Sequence, residues 1–152
     1  MSMVKTRDVG SWLLIAAIVA IGAVVYLRPT AHANTPALFE GSPATLDAAM
    51  AEAGSNGRVV FAYATADWCG PCQSYKKNTL SDPRVEEWVA ANAVPVYIDV
   101  DHSPNDAQRL EVQGIPATLI IKDGMIVDRQ VGAVPPGALL PWLEQTAAEA
   151  KR

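Results

Sequence analysis

The chain has 152 residues, of which 50% are apolar and 18% are charged. This excludes an intrinsically disordered chain, and the ordinary counts of 10 glycines and 11 prolines exclude a collagen-like or linker-like one. The net charge of -4 argues against a nucleic-acid-binding protein, and two cysteines are too few for a disulfide-rich scaffold.

The first 33 residues differ in charge from the rest of the chain. They contain Lys5, Arg7 and Arg28 against Asp8, so their net charge is +2 and the remaining residues carry -6. Residues 10–27 contain no charged side chain. A helix of that length would be roughly 27 Å long, which is close to the thickness of the hydrocarbon core of a bilayer.

Two interpretations of this segment agree that the rest of the chain is exported. Trp12 and Tyr26 lie near the ends of the apolar run, where amphipathic aromatic residues favour the membrane interface, and this favours an uncleaved anchor. Ala31-His32-Ala33 has the small residues of a signal-peptidase site, which favours a cleaved signal peptide. Basic residues precede the run, so its amino end should stay in the cytoplasm.

The domain prediction is therefore an anchor or signal peptide at 1–33, followed by one domain at 34–152. After a tether at 34–41, the sequence pattern predicts these elements in chain order: a helix from Ser42-Pro43 to about 53, a strand at 58–64, helices at 69–80 and 83–92, a strand at 94–100, a short helix at 103–112, strands at 117–121 and 125–131, and a helix beginning near Gly137.

The order of these elements predicts an α/β fold with a small mixed sheet covered by helices. Strands joined through a helix form a parallel pair, and the Asp123-Gly124 turn adds an antiparallel hairpin. The sheet should have about four to five strands. Pro141 fits the last helix only if it lies in the first turn, where its missing N–H is not needed.

Both cysteines lie in Trp68-Cys69-Gly70-Pro71-Cys72, between the first strand and the next helix. The spacing of three places both sulfurs on one helical face, close enough to form a disulfide. The helix amino terminus stabilises a thiolate, and Pro71 is tolerated in a first turn. We expect Cys69 to be the exposed nucleophile and the more buried Cys72 to resolve the mixed disulfide.

Two other interpretations of the cysteines are weaker. A zinc site needs about four ligands, and the only further candidates of the right type are His32 and His102. A purely structural disulfide that closes so small a ring would restrain little of the unfolded chain. A second feature supports a redox pair, because Gly114-Ile115-Pro116 precedes the third strand and is compatible with a cis bond at a tight turn. An ordinary proline at the start of a strand explains Pro116 equally well at this point.

With these motifs, residues 38–149 resemble the thioredoxin superfamily. The marks are the Trp68–Cys72 pentapeptide, Ile115-Pro116, the Lys122-Asp123-Gly124 hairpin and Gly132 before the last helix. The resemblance implies a thioredoxin fold, a cis Pro116 beside the active disulfide, and main-chain groups at Ile115 that bind substrate. The stretches at 66–69 and 80–85 are also similar to the exported carboxy-terminal domain of DsbD-type thiol reductases.

The chain departs from the family at the residues associated with removing the proton from the resolving thiol. The buried Asp that precedes the first Cys by six residues in thioredoxins corresponds to Tyr63, and the Lys that accompanies it corresponds to Tyr97. Asp67 is a candidate to substitute for that Asp, although a solvated loop carboxylate is the simpler interpretation.

Other charged residues near the motif have simpler interpretations. Asp99 and Asp101 are expected to cap or solvate the turn after a strand, and Lys76 and Lys77 to form a solvated helix face.

The resulting hypothesis is an exported thiol–disulfide oxidoreductase without a cofactor or metal. The Gly-Pro pair between the cysteines favours a reductase. Its partners would be disulfide-containing exported proteins and a membrane thiol donor, with no nucleic acid, and it would lie on the periplasmic side of the inner membrane or be soluble there after cleavage near Ala33. The alternatives are an oxidase or isomerase, and a membrane-tethered binding module that holds unfolded chains without redox chemistry.

Overall fold

The computed structural model describes residues 35–152. The predicted apolar helix and the anchor-or-signal interpretation of residues 1–33 lie outside the described residues. Within residues 35–152, no helix has both the length and the hydropathy needed to cross a bilayer.

The described part of the chain forms four strands and five α-helices, with a 3-10 turn before the first helix and a π-helical segment after the second. The strands are β1 (Val59–Thr65), β2 (Ala93–Asp99), β3 (Ala117–Lys122) and β4 (Met125–Val131). The helices are α1 (Leu46–Asn56), α2 (Gly70–Tyr75), α3 (Pro83–Asn92), α4 (Pro104–Arg109) and α5 (Pro136–Glu149). The 3-10 turn is Ala37–Phe39 and the π-helical segment is Lys76–Leu80.

The sheet has the strand order β2-β1-β3-β4. Strand β1 pairs in parallel with β2, whereas β3 runs antiparallel to both β1 and β4. This confirms the predicted mixed sheet, with its parallel pair and its antiparallel hairpin at Asp123-Gly124. The redox motif follows the central strand β1, so it lies at the carboxyl end of that strand.

Strand β1 is buried along its whole length because helices cover both faces of the sheet. Its side chains alternate between two apolar layers. One layer joins Val60, Ala62 and Ala64 to helix α1, and the other joins Phe61 and Tyr63 to helices α3 and α5. The second layer lies under the redox helix and holds most of the aromatic side chains of the core.

The first helix begins later than the sequence predicts. It starts at Leu46 rather than at Ser42-Pro43, because the side chain of Thr45 caps it by accepting a hydrogen bond from the Ala48 N–H at 3.2 Å. This start places Leu46 fully in the core. The predicted tether at 34–41 is also wrong in part, since Phe39 is buried against the Phe61 and Tyr63 rings.

The expectation that Pro141 lies in the first turn of the last helix is wrong. Helix α5 begins at Pro136, so Pro141 is the sixth helical residue. Its ring leaves the Gly137 carbonyl without the usual helical donor. The helix continues because Leu139, Leu143, Thr146 and Ala147 are buried on the sheet, and this burial outweighs the local penalty.

Candidate active site

The redox motif forms the junction between strand β1 and helix α2. Cys69 is the N-cap of the helix, and its main-chain N–H donates to the Ala66 carbonyl at 3.2 Å. Its sulfur accepts a hydrogen bond from the Cys72 N–H at 3.2 Å, so it occupies the place of a capping oxygen. Pro71 lies in the first turn, where its missing N–H has no helical partner to lose.

Cys69 and Cys72 form a disulfide with an S–S distance of 2.01 Å and a Cα–Cα distance of 5.2 Å. The residues around it differ in accessibility. Cys69 is 4% exposed and Cys72 is fully buried, while Gly70 and Pro71 between them are exposed. An incoming thiol or disulfide can therefore approach Cys69 from solvent more easily than it can approach Cys72.

Ile115 lies beside the disulfide, although it is more than forty residues away in sequence. The Ile115–Pro116 peptide bond is cis, and Ile115 packs against the cluster of Ala66, Cys69 and Cys72. The Pro116 carbonyl accepts a hydrogen bond from the Gly132 N–H at 2.8 Å, which ties the start of β3 to the end of β4. The fold thus brings together two motifs that the sequence separates.

The exposed rim of the site is formed by the loop that precedes Cys69. The Trp68 side chain is 71% exposed, and its indole N–H donates to the Asp101 carboxylate at 2.7 Å. Asp67 is also exposed, and its main-chain carbonyl accepts a hydrogen bond from the Gln73 side chain at 3.2 Å. These bonds hold the loop against helix α2 and the turn after β2.

Tyr63 lies behind the disulfide and is fully buried. Its hydroxyl donates to the Cys72 carbonyl at 3.2 Å, and its ring contacts those of Phe39, Tyr75 and Tyr97. Desolvation by burial raises the pKa of Tyr63 well above the ordinary value for a phenol. The phenol is therefore protonated at neutral pH and acts here as a hydrogen-bond donor.

The prediction that Lys76 belongs to a solvated helix face is wrong. Lys76 is only 2% exposed, whereas Lys77 is exposed as expected. Its ammonium group donates to the Tyr97 hydroxyl at 3.2 Å and lies 5.6 Å from the centre of that ring. Desolvation lowers the pKa of Lys76, and the nearby charges of Asp67 and Asp99 only partly offset this effect.

The sequence therefore did not predict the burial of Lys76. A signal was present, because residues four apart on a helix share a face and Lys76 follows the buried Cys72 by four. The signal was ambiguous, because lysine is almost never fully buried without a partner. The partner here is Tyr97 on strand β2, which is distant in sequence.

Asp99 and Asp101 have different roles in the turn after β2. Asp99 is buried and caps the turn as predicted, because one of its carboxylate oxygens accepts from the Asp101 and His102 N–H groups at 2.9 and 3.2 Å. Burial raises its pKa, but these hydrogen bonds and the interaction with the His102 imidazole together outweigh burial, so the net pKa is lowered. Asp101 instead binds Trp68.

No three His, Cys, Asp or Glu side chains in residues 35–152 are grouped to hold a metal ion.

Comparison with known proteins places this geometry in context. A family model described as a thioredoxin-like domain matches residues 46–147. The chain is 33% identical over 82 residues to a thioredoxin of Rhodospirillum rubrum, covering 52% of this chain and 73% of that protein.

It is 42% identical over 73 residues to thioredoxin-2 of Pyricularia oryzae, covering 47% of this chain and only 39% of that protein. The solution structure of a thioredoxin from Thermus thermophilus is similar with a TM-score of 0.64 at 29% identity, over 70% of this chain and 87% of that one.

Proposed function

Because the chain belongs to the thioredoxin superfamily and is a thiol–disulfide oxidoreductase, we propose that it is an exported reductase that acts on disulfides of extracytoplasmic proteins. The observation that carries the proposal is the position of Cys69. It caps a helix, it lies at the exposed end of the redox pair, and its sulfur accepts a main-chain hydrogen bond that would also stabilise a thiolate.

The reaction follows from the positions of the two sulfurs. The Cys69 thiolate attacks one sulfur of the substrate disulfide, a Cys69–substrate bond forms, and the other substrate sulfur leaves as a thiolate. Cys72 then loses its proton and attacks Cys69. The Cys69–Cys72 bond forms, the remaining substrate sulfur leaves, and both leaving thiolates take protons from solvent. The substrate disulfide has gained two electrons and the protein dithiol has lost two.

The direction of electron flow rests on the residues between the cysteines. The Gly70-Pro71 pair matches the reducing thioredoxins, whose potential is about −270 mV, rather than the strongly oxidising DsbA at about −120 mV. An oxidase or isomerase is the alternative within the same chemistry. A redox titration of the Cys69–Cys72 pair against glutathione distinguishes them, and a potential close to that of DsbA would contradict the reductase proposal.

The extracytoplasmic location rests on the sequence of residues 1–33. Its charge-free run and basic amino-terminal flank favour export, with the domain on the periplasmic side of the inner membrane as an anchored or a released protein. A reductase there must be recharged with electrons. Both cysteines of the chain lie in the redox motif, so a membrane thiol donor is proposed as the partner that reduces it again.

The decisive experiment is disulfide reduction by the full-length protein in detergent. With dithiothreitol as the electron source, wild type should reduce insulin disulfides, and a Cys69→Ser, Cys72→Ser double variant should not. A tethered binding module makes the opposite prediction in cells, since the double variant would keep its function there. If the double variant loses both insulin reduction in vitro and its function in cells, the oxidoreductase is supported. If it keeps its full function in cells without the cysteines, the oxidoreductase is contradicted.

A further inference from the structure

The loop from helix α4 to strand β3 carries Ile115, which packs against the cluster that contains the disulfide. Neither the main-chain N–H nor the carbonyl of Ile115 has a hydrogen-bond partner within residues 35–152. Unpaired main-chain groups can pair with an extended peptide, as the edge of a sheet does. The path of this loop therefore sets how the main chain of a substrate would be held beside the disulfide.

Helix α4 ends in a Schellman motif, in which a residue just after the helix takes a left-handed conformation. The Val112 N–H donates to the Ala107 carbonyl at 3.0 Å. The Glu111 N–H donates to the Gln108 carbonyl at 2.9 Å. The left-handed residue of this motif is usually glycine, but here it is Glu111, with a φ of 51°. The loop that leads to Ile115 thus begins at a conformation that residues with a side chain disfavour.

Strand β4 supplies the group that holds Glu111 in this conformation. Arg129 lies opposite Leu119 of β3 in the strand register, and its Nη1 donates to the Glu111 main-chain carbonyl at 2.8 Å. Its Nη2 lies 3.8 Å from a carboxylate oxygen of Glu111, a side chain that is 76% exposed, so this ion pair contributes little. The bond to the main chain is the stronger interaction, because a charged donor strengthens a hydrogen bond. Arg129 therefore favours the position that the Glu111 carbonyl has here.

The end of strand β4 holds the far end of the same loop. The Gly132 N–H, directly after the strand, donates to the Pro116 carbonyl at 2.8 Å. Val131 lies next to Gly114, since a Cβ added to that glycine would be 3.5 Å from the Val131 Cγ1. Together with the bond to the glutamate carbonyl, these contacts hold the loop to β4 on both sides of Ile115.

We propose that Arg129 is a positioning residue for substrates that carry a peptide chain next to their disulfide. Its bond keeps Glu111 left-handed, and this start sets the path of residues 112–115. Arg129 acts through this loop and takes no part in the exchange of sulfurs. Without it, the main chain of Ile115 is displaced from the disulfide, while Cys69 remains a competent nucleophile.

The role of Arg129 rests on the proposed reduction of protein disulfides, and it adds a condition on the substrate. Because the main chain of Ile115 pairs with peptide groups, a small disulfide without such groups should not depend on Arg129. A general loss of stability would instead lower the rates with both kinds of disulfide by the same factor. Comparison of the two substrates therefore separates positioning from folding.

The reduced full-length protein in detergent is mixed with an excess of insulin, which presents peptide chains, or of hydroxyethyl disulfide, which has none. Iodoacetamide traps the remaining protein thiols, and mass spectrometry counts them. We expect Arg129→Met to lower the rate constant with insulin by about tenfold and to leave that with hydroxyethyl disulfide within about twofold of wild type. The matched control is Arg84→Met, which removes an exposed arginine of helix α3 that pairs with Asp82. It should follow wild type with both disulfides.

Two results with Arg129→Met would overturn the proposal. One is a wild-type rate constant with insulin, and the other is an equal loss with both disulfides, which is the result of a smaller fraction of folded protein. A failure of the proposed function looks different, because it appears in the wild type. A wild type that reduces hydroxyethyl disulfide but not insulin would contradict the proposed function, and the role of Arg129 with it.

Variants of Glu111 test the route by which Arg129 acts. Glu111→Gln removes the carboxylate but keeps the main-chain carbonyl, so it should follow wild type with insulin. Glycine adopts the left-handed conformation readily, so the double variant Glu111→Gly, Arg129→Met should recover a rate constant within about twofold of wild type. A Glu111→Gln variant as slow as Arg129→Met, or a double variant that stays slow, would overturn the role of the main-chain bond.

Discussion

The two sulfurs of the redox pair occupy different positions on the same helix. Cys69 caps the helix and faces the exposed Gly70-Pro71 turn, whereas Cys72 is buried beneath it. A thiolate at Cys69 is stabilised by the helix terminus, while ionisation of Cys72 in the core is opposed by desolvation. This difference is the basis for assigning the nucleophile to Cys69 and the resolving role to Cys72.

We therefore predict that Cys69 reacts first with alkylating reagents. Brief treatment of the reduced protein with iodoacetamide, followed by peptide mapping, should place most of the label on Cys69. The same treatment in denaturant is the control, since unfolding should make the two thiols react at similar rates. Preferential labelling of Cys72 in the folded protein would contradict the assignment of roles.

Tyr63 occupies the position at which the resembled family has a buried carboxylate. We predict that Tyr63→Asp increases the rate at which the substrate leaves the mixed disulfide, since it adds a proton acceptor beside Cys72. It should also lower the free energy of unfolding by about 3 kcal/mol or more, because an aromatic core residue is lost and a carboxylate is buried. Single-turnover kinetics and denaturant unfolding measure the two effects.

The controls for this prediction use neighbouring groups. Tyr63→Phe removes only the hydroxyl and should leave the release rate near that of wild type. Asp67 is the candidate to substitute for the missing carboxylate, so Asp67→Asn should slow turnover. Its control is Glu87→Gln, which changes an exposed carboxylate on helix α3 and should have a smaller effect. If Tyr63→Asp leaves the release rate unchanged and Asp67→Asn has no effect on turnover, neither position takes part in removing the proton from the Cys72 thiol.

At the scale of elements, helix α5 shows packing overriding a local preference. Pro141 lies in its interior and is exposed, so its ring contributes little to the core while it removes one helical hydrogen bond. The helix persists because its apolar face, which includes Leu139 and Leu143, is fully buried against the sheet. Replacement of Pro141 should therefore increase the free energy of unfolding.

We predict that Pro141→Ala raises the free energy of unfolding by about 1 kcal/mol or more, because alanine restores the bond to the Gly137 carbonyl. Pro136→Ala is the matched control. Proline at that first helical position loses no hydrogen bond and restrains the unfolded chain, so its replacement should be neutral or slightly destabilising. Thermal unfolding of both variants checks the prediction, and a destabilised Pro141→Ala would contradict it.

The whole molecule places its redox motif at one end of a helix-covered sheet. The motif follows the central strand β1, and the Ile115-Pro116 turn precedes the neighbouring strand β3. Because β3 is antiparallel to β1, its beginning lies at the end of β1, and this topology alone brings the two motifs together. The remaining question at this scale is how residues 1–33 are processed.

We predict that residues 1–33 are retained as a membrane anchor with the cysteines outside the cytoplasm. Mass spectrometry of the native protein should find an intact amino terminus, and a membrane-impermeant thiol reagent should label the reduced cysteines in whole spheroplasts. A terminus at Asn34 would replace the anchor by a cleaved signal peptide and leave export standing. Labelling only after lysis would contradict export itself.

Much of the fold and of the redox motif could be predicted from local sequence patterns. The apolar run of β1, the Asp123-Gly124 turn and the spacing of Cys69 and Cys72 each act over a few residues, so the sequence specifies them directly. The parallel pair and the antiparallel hairpin followed from the order of the elements, whereas the pairing of β3 with β1 is known only from the structure. The helix that begins at Pro83 was also predicted, and the structure shows in addition that the Asp82 side chain caps it.

Tertiary structure alone decided the surroundings of the sulfurs. Lys76 is buried because it meets Tyr97, which lies 21 residues further along the chain, and Tyr63 binds Cys72 across nine residues. The start of helix α1 and the persistence of helix α5 through Pro141 likewise depend on which side chains the sheet buries. Burial and partner choice depend on contacts between distant segments, and no local pattern of polarity or spacing determines those contacts.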